Sequence, residues 1–301
     1  MDLIELLGMM RPGNCLMAAA GALIGALIAI GGINGLFSAQ FMLVAVAVIA
    51  ITGAGNVIND YCDVEADKVN RPRRPIPSGA VSKRGALVFA VLLFALGSFC
   101  ALTISWACFF IALFNTLLLV VYSWTLQHKV FIGNITVGYL VGSVFFFGAA
   151  AFFNGRIGIA LVLTALAMMV NVSREIVKDM EDMEGDRKSF LKRIASSGKK
   201  RGERFKMTDD GARLRYNERM MIVISIFCLL VAVALSAVPY YFGYLRASYV
   251  IVILAADALF VSCIYSVLRG QRKKKGYARI SSRLKYAMLI AMAAFVAGVI
   301  F

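Results

Sequence analysis

Nine runs of about twenty apolar residues constrain this chain more than anything else in it, at roughly 13–33, 39–60, 85–104, 106–126, 133–153, 157–177, 220–239, 247–268 and 283–301. Each is long enough to cross the hydrocarbon layer as a helix, and only helices and closed barrels satisfy their own backbone groups there. Strands of a barrel would be half this length and would alternate polar with apolar residues. The expected fold is therefore an all-α polytopic membrane protein of nine spans, a single domain over 1–301. Charge is sparse enough to agree, with 16% of residues charged against about 25% in soluble domains. The six cysteines, at 15, 62, 100, 108, 228 and 263, lie in or beside apolar runs without a CxxC pair. They read as small buried hydrophobes, not as a zinc site or a disulfide frame. The N-terminus, Met1-Asp2-Leu3-Ile4-Glu5, lacks the basic start of a cleaved signal peptide.

A net charge of +15 suggests nucleic acid until the charges are placed. Thirty of the 32 Lys and Arg residues fall on one side of the alternating spans, in the N-terminal segment and the loops near 61–84, 127–132, 174–219 and 269–285. Only Arg156 and Arg246 fall on the other. Basic loops mark the cytoplasmic side, so the N-terminus should be cytoplasmic and the C-terminus outside. The charge is spent on topology, and no nucleic-acid partner is expected.

Two acidic stretches interrupt this pattern on the basic side. Asp60, Asp63 and Asp67 follow Asn56, and Asp179, Asp182 and Asp186 follow Glu175, with the same spacing in both. On a helix the positions of each set fall within an arc of about 60°, so each forms one acidic stripe. Like charges at these spacings weaken a helix, and carboxylates oppose the dipole at its C-terminus. A solvated acidic helix end is the plain alternative, but a matched pair, closing the second and sixth spans, points to a cation held between them. Carboxylate oxygens without Cys or His suit a hard ion such as Mg²⁺, which keeps waters and shares substrate phosphates. The match hints at an internal duplication.

The first stripe runs into Lys68-Val-Asn-Arg-Pro-Arg-Arg-Pro-Ile-Pro-Ser-Gly79, which holds three of the five prolines and is expected to be a rigid, extended loop. Its four basic side chains beside three aspartates suit a metal–polyphosphate, with guanidinium groups on phosphate oxygens. Lys178, before Asp179, has the equivalent place in the second stripe. Gly21-x-x-x-Gly25 and Gly138-x-x-x-Gly142 should let helices approach closely.

These residues together, Asn56-x-x-x-Asp60-x-x-Asp63-x-x-x-Asp67 with Asn70-Arg-Pro-x-Arg-Pro-x-Pro-Ser-Gly79, and Asp179-x-x-Asp182-x-x-x-Asp186, resemble the two signatures of the UbiA-type intramembrane prenyltransferases. Arg11-Pro-x-Asn14 also matches that family's pattern. The stretches Arg174–Asp186 and Gly133–Ser143 are most similar to its archaeal ether-lipid branch. The resemblance implies nine helices around a central cavity. It implies a Mg²⁺-dependent transfer of a geranylgeranyl group from its diphosphate to the hydroxyl of geranylgeranylglyceryl phosphate, the second ether bond of archaeal lipids. The partners would be an isoprenyl diphosphate donor, a lipid-soluble phosphorylated acceptor and membrane lipids, in a multi-pass protein whose active site faces the cytoplasm.

On this reading Asp60, Asp63, Asp179 and Asp182 are the catalytic carboxylates. They are metal ligands together with Asn56, and Asp67 and Asp186 are ligands or stand just behind them. Lys68, Arg71, Arg74 and Lys178 take the diphosphate, and Arg11, Asn14 and Tyr122 meet the acceptor. Leaving-group stabilisation is electrostatic, and helix walls keep water from the allylic cation. No general base is evident: His128, the only histidine, falls in a short loop. One region departs from the pattern, a Ser/Gly/Lys-rich insertion at about 187–217 with too little apolar content to fold alone. Two other readings stand beside this one. An aromatic or tetrapyrrole ring could be the acceptor. A carboxylate-lined cation transporter would instead place its acids near the bilayer midplane, where these are not.

Overall fold

Serine hydroxyls set where several of the helices begin. Ser38, Ser82 and Ser105 accept from the backbone N–H of Phe41, Gly85 and Cys108 at 3.3, 3.0 and 3.1 Å, satisfying donors that a helix start leaves open. The structure, a computed structural model, describes residues 3–32, 38–152, 157–196, 218–269 and 274–301, with backbone alone for 3, 128, 130, 183–196 and 274. The elements in order are α1 (Leu3–Met9), α2 (Pro12–Ile30), α3 (Ala39–Cys62), α4 (Val64–Asn70), α5 (Lys83–Ile104), α6 (Trp106–Trp124), a 3₁₀ turn (Leu126–His128), α7 (Val130–Ala151), α8 (Ile157–Ser196), α9 (Glu218–Ser236), α10 (Val238–Tyr241), α11 (Ala247–Leu268) and α12 (Lys274–Ile300). Among the described residues, nine helices are long and apolar enough to cross a membrane. They match the nine runs read from the sequence.

Helix α7 is the axis of the bundle, packing along both α2 and α8. Glycines make this possible. A Cβ on Gly25 would collide with the backbone carbonyl of Phe145, and one on Gly148 with that of Ala22, so α2 and α7 touch backbone to backbone. On the other side of α7, a Cβ on Gly138 or Gly142 would stand 3.0 Å from the Met168 carbonyl oxygen or 2.5 Å from that of Thr164 in α8. Such close contact replaces the hydrophobic drive that lipid surroundings remove. Three of the four glycines singled out in the sequence thus do the packing work expected of them. Gly21 meets only side chains, Val144 and Phe145.

Around this axis α3 packs on α5, and α8 carries α9 and α12, with α11 against α12. One core joins α8, α9, α11 and α12 through Ile176, Met221, Tyr249, Phe260 and Leu284. A second joins α2, α3, α5 and α6 around Ala22, Val44, Ala101 and Cys108. Outside these, Val88, Leu92 and Phe99 on α5, Phe110 and Leu117 on α6, and Ile251 and Leu254 on α11 are exposed. Contiguous apolar faces of this kind fit hydrocarbon and not water.

Several local expectations need correction. The acidic stripe of α3 is not on one unbroken helix: α3 ends at Cys62, Asp63 turns with φ −84° and ψ 5°, and α4 follows. Backbone bonds from Asp63 to Asn59 and from Asp67 to Asp63, at 3.0 and 2.8 Å, carry the helical spacing across the kink. Helix α4 also takes in Lys68–Asn70, where an extended loop was expected, and the turns begin only at Arg71. The sixth apolar span, Ile157–Asp182, lies on a longer helix: α8 carries the second acidic stripe as expected and runs on to Ser196. The last helix begins at Lys274, not near 283. Residues 197–217 of the basic insertion lie outside the described residues.

Replacing Gly148 by Val drives a side chain into the Ala22 carbonyl, which cannot rotate away. We expect a loss of about 3 kcal/mol or more, read as a lowered thermal midpoint in detergent, whereas Gly13→Ala, whose Cβ would meet nothing within 4 Å, should leave the midpoint unchanged.

Candidate functional site

Asp60 and Asp67 are buried, at 7% and 6% exposure, and a buried carboxylate needs a partner. Helical spacing puts them on one side of the α3–α4 corner, and the proline loop supplies the partner. Ile76 and Val81 bury beside Val57, Ile58 and Val64, which pins the loop onto α3. Bonds from Ser78 N to Arg74 O and from Val81 N to Pro75 O, at 2.9 and 3.0 Å, tighten it, and Gly79 takes φ 82°. The loop so held aims Arg74 inward. Its Nη1 donates to Asp67 Oδ2 at 2.5 Å and to Asp60 Oδ1 at 3.1 Å.

Arg11 reaches the same oxygen, Nη2 to Asp60 Oδ1 at 2.6 Å. It caps α2 with φ 55° and ψ 71°, the one non-glycine residue with positive φ among the described residues. Asn56 is turned to the same junction, donating to the Met10 carbonyl at 2.8 Å.

Asp63, at the kink, is held on both oxygens: Oδ2 accepts from Asn59 Nδ2 at 2.6 Å and Oδ1 from Gln127 Nε2 at 2.8 Å. In the second row Asp179 Oδ2 accepts from Asn134 Nδ2 at 3.0 Å. Asp179 is half-buried and Asp182 exposed. Gln127 lies where α6 passes into α7 and Asn134 in the first turns of α7, so both acidic rows stand at the same end of the bundle. The side chains of Asp186 and His128 lie outside the described residues.

The basic residues named from the sequence divide. Arg74 is in the site. Lys68 is exposed and donates to Glu65 at 2.9 Å, on the side of α4 away from the stripe, and its hydrogen bond and charge hold Glu65 below the usual carboxylate range. Arg71 is exposed, in a shallow pocket lined by Asn70, Pro72, Arg73, Arg74 and Pro75. Lys178 is exposed and reaches Glu175 at 3.4 Å, with Arg174 on the same carboxylate at 2.7 Å. Asn14 is exposed on the first turn of α2 and Tyr122 half-buried near the end of α6. Arg11, named for an acceptor, is engaged with Asp60.

Sequence reasoning missed Asn59, Gln127 and Asn134. An amide inside an otherwise apolar run was the available signal for Asn134, which is buried. Gln127 gave none, because its partner is 64 residues away.

The donor set fits a hard divalent cation. One guanidinium nitrogen already lies between the carboxylates of Asp60 and Asp67, which shows a cation held by both. Among the described residues, however, no three acidic side chains converge tightly enough to hold a metal alone. Magnesium there needs oxygens from a ligand or water, its usual habit. Asp60, Asp63 and Asp67 are the groups on the first row that would hold it, and Asp179 and Asp182 those on the second.

The UbiA prenyltransferase family matches residues 18–292. Digeranylgeranylglyceryl phosphate synthase of Methanosarcina mazei is 40% identical over 303 residues, covering 97% of each chain. The enzyme of that name from Methanothermobacter thermautotrophicus is 35% identical, over 96% of this chain and 94% of the relative. A solved structure concerned with digeranylgeranylglyceryl phosphate synthase in membranes superposes with a TM-score of 0.78 at 33% identity, covering 99% of this chain and 98% of the other. A UbiA homologue from Archaeoglobus fulgidus, bound to GPP and Mg²⁺, shares the fold with a TM-score of 0.63 at 16% identity over 95% of this chain and 99% of the other.

Arg74→Met leaves Asp60 and Asp67 facing each other with one guanidinium lost. It should cost roughly 2 kcal/mol, below the range for fully buried pairs because Arg74 is partly exposed. Adding Asp67→Asn should recover most of that loss, since the repulsion goes with the charge. Thermal midpoints of the two singles and the double in detergent check this.

Proposed function

The chain belongs to the UbiA prenyltransferase family, and from that premise we propose that it joins the geranylgeranyl group of geranylgeranyl diphosphate to the free hydroxyl of geranylgeranylglyceryl phosphate. The product carries the second ether bond of archaeal membrane lipids. The observation that carries the choice of substrates is full-length similarity, at 35–40% identity, to digeranylgeranylglyceryl phosphate synthases.

The chemistry needs a leaving group more than a base. The bond between C1 of the allylic chain and the diphosphate oxygen breaks, and the diphosphate leaves with the electron pair. The acceptor oxygen then bonds to C1 and its proton is released, so no strong base is required beforehand. Magnesium, when bound, neutralises the diphosphate and weakens its bond to C1. Asp60, Asp63, Asp179 and Asp182 hold the metal with Asn56, and Asp67 and Asp186 support them. Arg74, Arg71, Lys68 and Lys178 bind diphosphate oxygens, and Lys68 and Lys178 are long enough to leave their glutamates for a stronger anion. With Asp60 turned to a metal, Arg74 would be available to the diphosphate and Arg11, with Asn14 and Tyr122, to the phosphorylated acceptor. Helices around a central cavity keep bulk water from the allylic centre, and the apolar chains enter from the bilayer. The bias of basic loops supports an active site on the cytoplasmic side and a C-terminus outside.

Asp63→Ala should abolish Mg²⁺-dependent transfer, a loss of about a thousandfold or more for a catalytic metal ligand, while the protein still folds in detergent. Undiminished turnover would rule out the metal assignment. Purified protein given radiolabelled geranylgeranyl diphosphate should label geranylgeranylglyceryl phosphate, and labelling of an aromatic acceptor in its place would overturn the substrate assignment.

A further inference from the structure

The two acidic rows do not lie on neighbouring helices. Both α3 and α8 pack on α2 and α7, and what links the carboxylates is the short connection from α6 into α7. At one end of it Gln127 donates to Asp63 Oδ1 at 2.8 Å, and the same Nε2 donates to the Ser123 carbonyl at 2.8 Å. Asn59 bridges Gln127 Oε1 and Asp63 Oδ2 at 3.1 and 2.6 Å. Seven residues on, Asn134 donates to Asp179 Oδ2 at 3.0 Å.

The backbone between is closed on itself. Lys129 N donates to Leu126 O at 2.9 Å and Gly133 N to Lys129 O at 2.6 Å. Gly133 lies so near the 3₁₀ turn that a Cβ there would stand 2.8 Å from the Leu126 carbonyl oxygen and 3.7 Å from its carbon. Only glycine permits that approach.

We propose that Gln127 and Asn134, joined through the turn that Gly133 closes, are positioning residues that fix the spacing between the two acidic rows and so set the affinity for the metal–diphosphate. This rests on the reading given under Proposed function. Groups that orient metal ligands without touching the metal are worth about 10- to 100-fold in metal affinity. Here each amide is committed to one row, and the rows have no shorter link among the described hydrogen bonds. Gln127 donates to one oxygen of Asp63 and Asn59, itself donating to Gln127 Oε1, to the other, so the Asp63 carboxylate cannot rotate without breaking both bonds. Asn134 is buried, so its amide is held in place to meet Asp179.

The test uses the full chain in detergent with Mg²⁺ and geranylgeranyl thiodiphosphate, an analogue that resists ionisation. The readout is the Mg²⁺ concentration giving half of the ligand-dependent thermal stabilisation, beside the midpoint without ligand and the Mg²⁺ dependence of transfer. Gln127→Met and Asn134→Leu should each raise the half-saturating Mg²⁺ about tenfold, with transfer largely restored at high Mg²⁺. Gly133→Ala, which touches neither carboxylate, should do the same. The double variant Gln127→Met/Asn134→Leu should fall short of the product of the singles, because both act on one spacing. A half-saturating Mg²⁺ unchanged in both side-chain variants overturns the proposal, even if unliganded stability drops, and so does full multiplicativity in the double. If Gly133→Ala does not fold, the two side-chain variants decide. If the unmodified chain shows no stabilisation by Mg²⁺ with the analogue, the functional reading itself fails and this inference falls with it.

Discussion

Backbone contact between α7 and its two neighbours is the constraint on which the remaining structure depends. In a bilayer there is little gain from hiding apolar surface, since lipid tails are equally apolar, and helices must associate by close packing and hydrogen bonds. Gly25 and Gly148 bring α2 against α7, and Gly138 and Gly142 bring α8 against its other side. Because α2 starts just after Arg11 and α7 at Val130, this clamp places Arg11, the α6–α7 turn and residue 179 of α8 at one end. The two acidic rows are carried on helices that both pack against α7. Polar cross-links within the bundle follow the same axis, with Asn115 of α6 donating to Ser143 of α7 at 3.0 Å.

How much of this could be read from the sequence follows from the physics of each signal. Nine spans were legible because hydrocarbon thickness fixes a length and composition that local residues must meet on their own. Helix ends in water were less so: α8 runs on to Ser196 and α12 begins at Lys274, since polar residues are compatible with helix and loop alike. Asp60 and Asp67 were legible as a pair because three- and four-residue spacings are helical. Their partner Arg74 was legible as a neighbour in sequence, but its aim was not, for that depends on Ile76 and Val81 finding places against α3. Gln127 and Asn134 could not be read at all as partners of Asp63 and Asp179. Their bonds span 64 and 45 residues, and an isolated amide carries no period to mark it.

The electrostatics of the first row explain why arginine and not lysine stands there. Asp60 receives two guanidinium groups on one oxygen while Asp67 shares one of them. A planar guanidinium with fixed N–H directions can bridge two carboxylates without being fully desolvated itself, whereas an ammonium is strongly hydrated and holds its water. Lys68 and Lys178 accordingly sit outside, on exposed glutamate partners or half-buried Glu175. Exposed pairs of this kind contribute little, so those lysines are held far more loosely than the two arginines on Asp60.

Arg11 shows what the fixed charges cost. Its left-handed backbone is disfavoured by roughly 1–2 kcal/mol for a residue with a Cβ, and Pro12 next to it presses the chain toward an extended form. Glycine would carry φ 55° without strain, yet would place no charge beside Asp60. The strain is offset where the chain gains from it. The Arg11 carbonyl starts α2 by accepting from Asn14 at 2.8 Å and Cys15 at 3.3 Å. Its guanidinium then reaches a buried carboxylate and shares one of its oxygens with Arg74. Strained residues of this sort persist where the surroundings determine them more strongly than their own backbone preference does. Here the α1–α2 corner is bent so that the chain's first arginine faces the acidic end of α3, and the first helix, through buried Leu6 and Met9 against Val57 and Ile58, holds the corner in that bend.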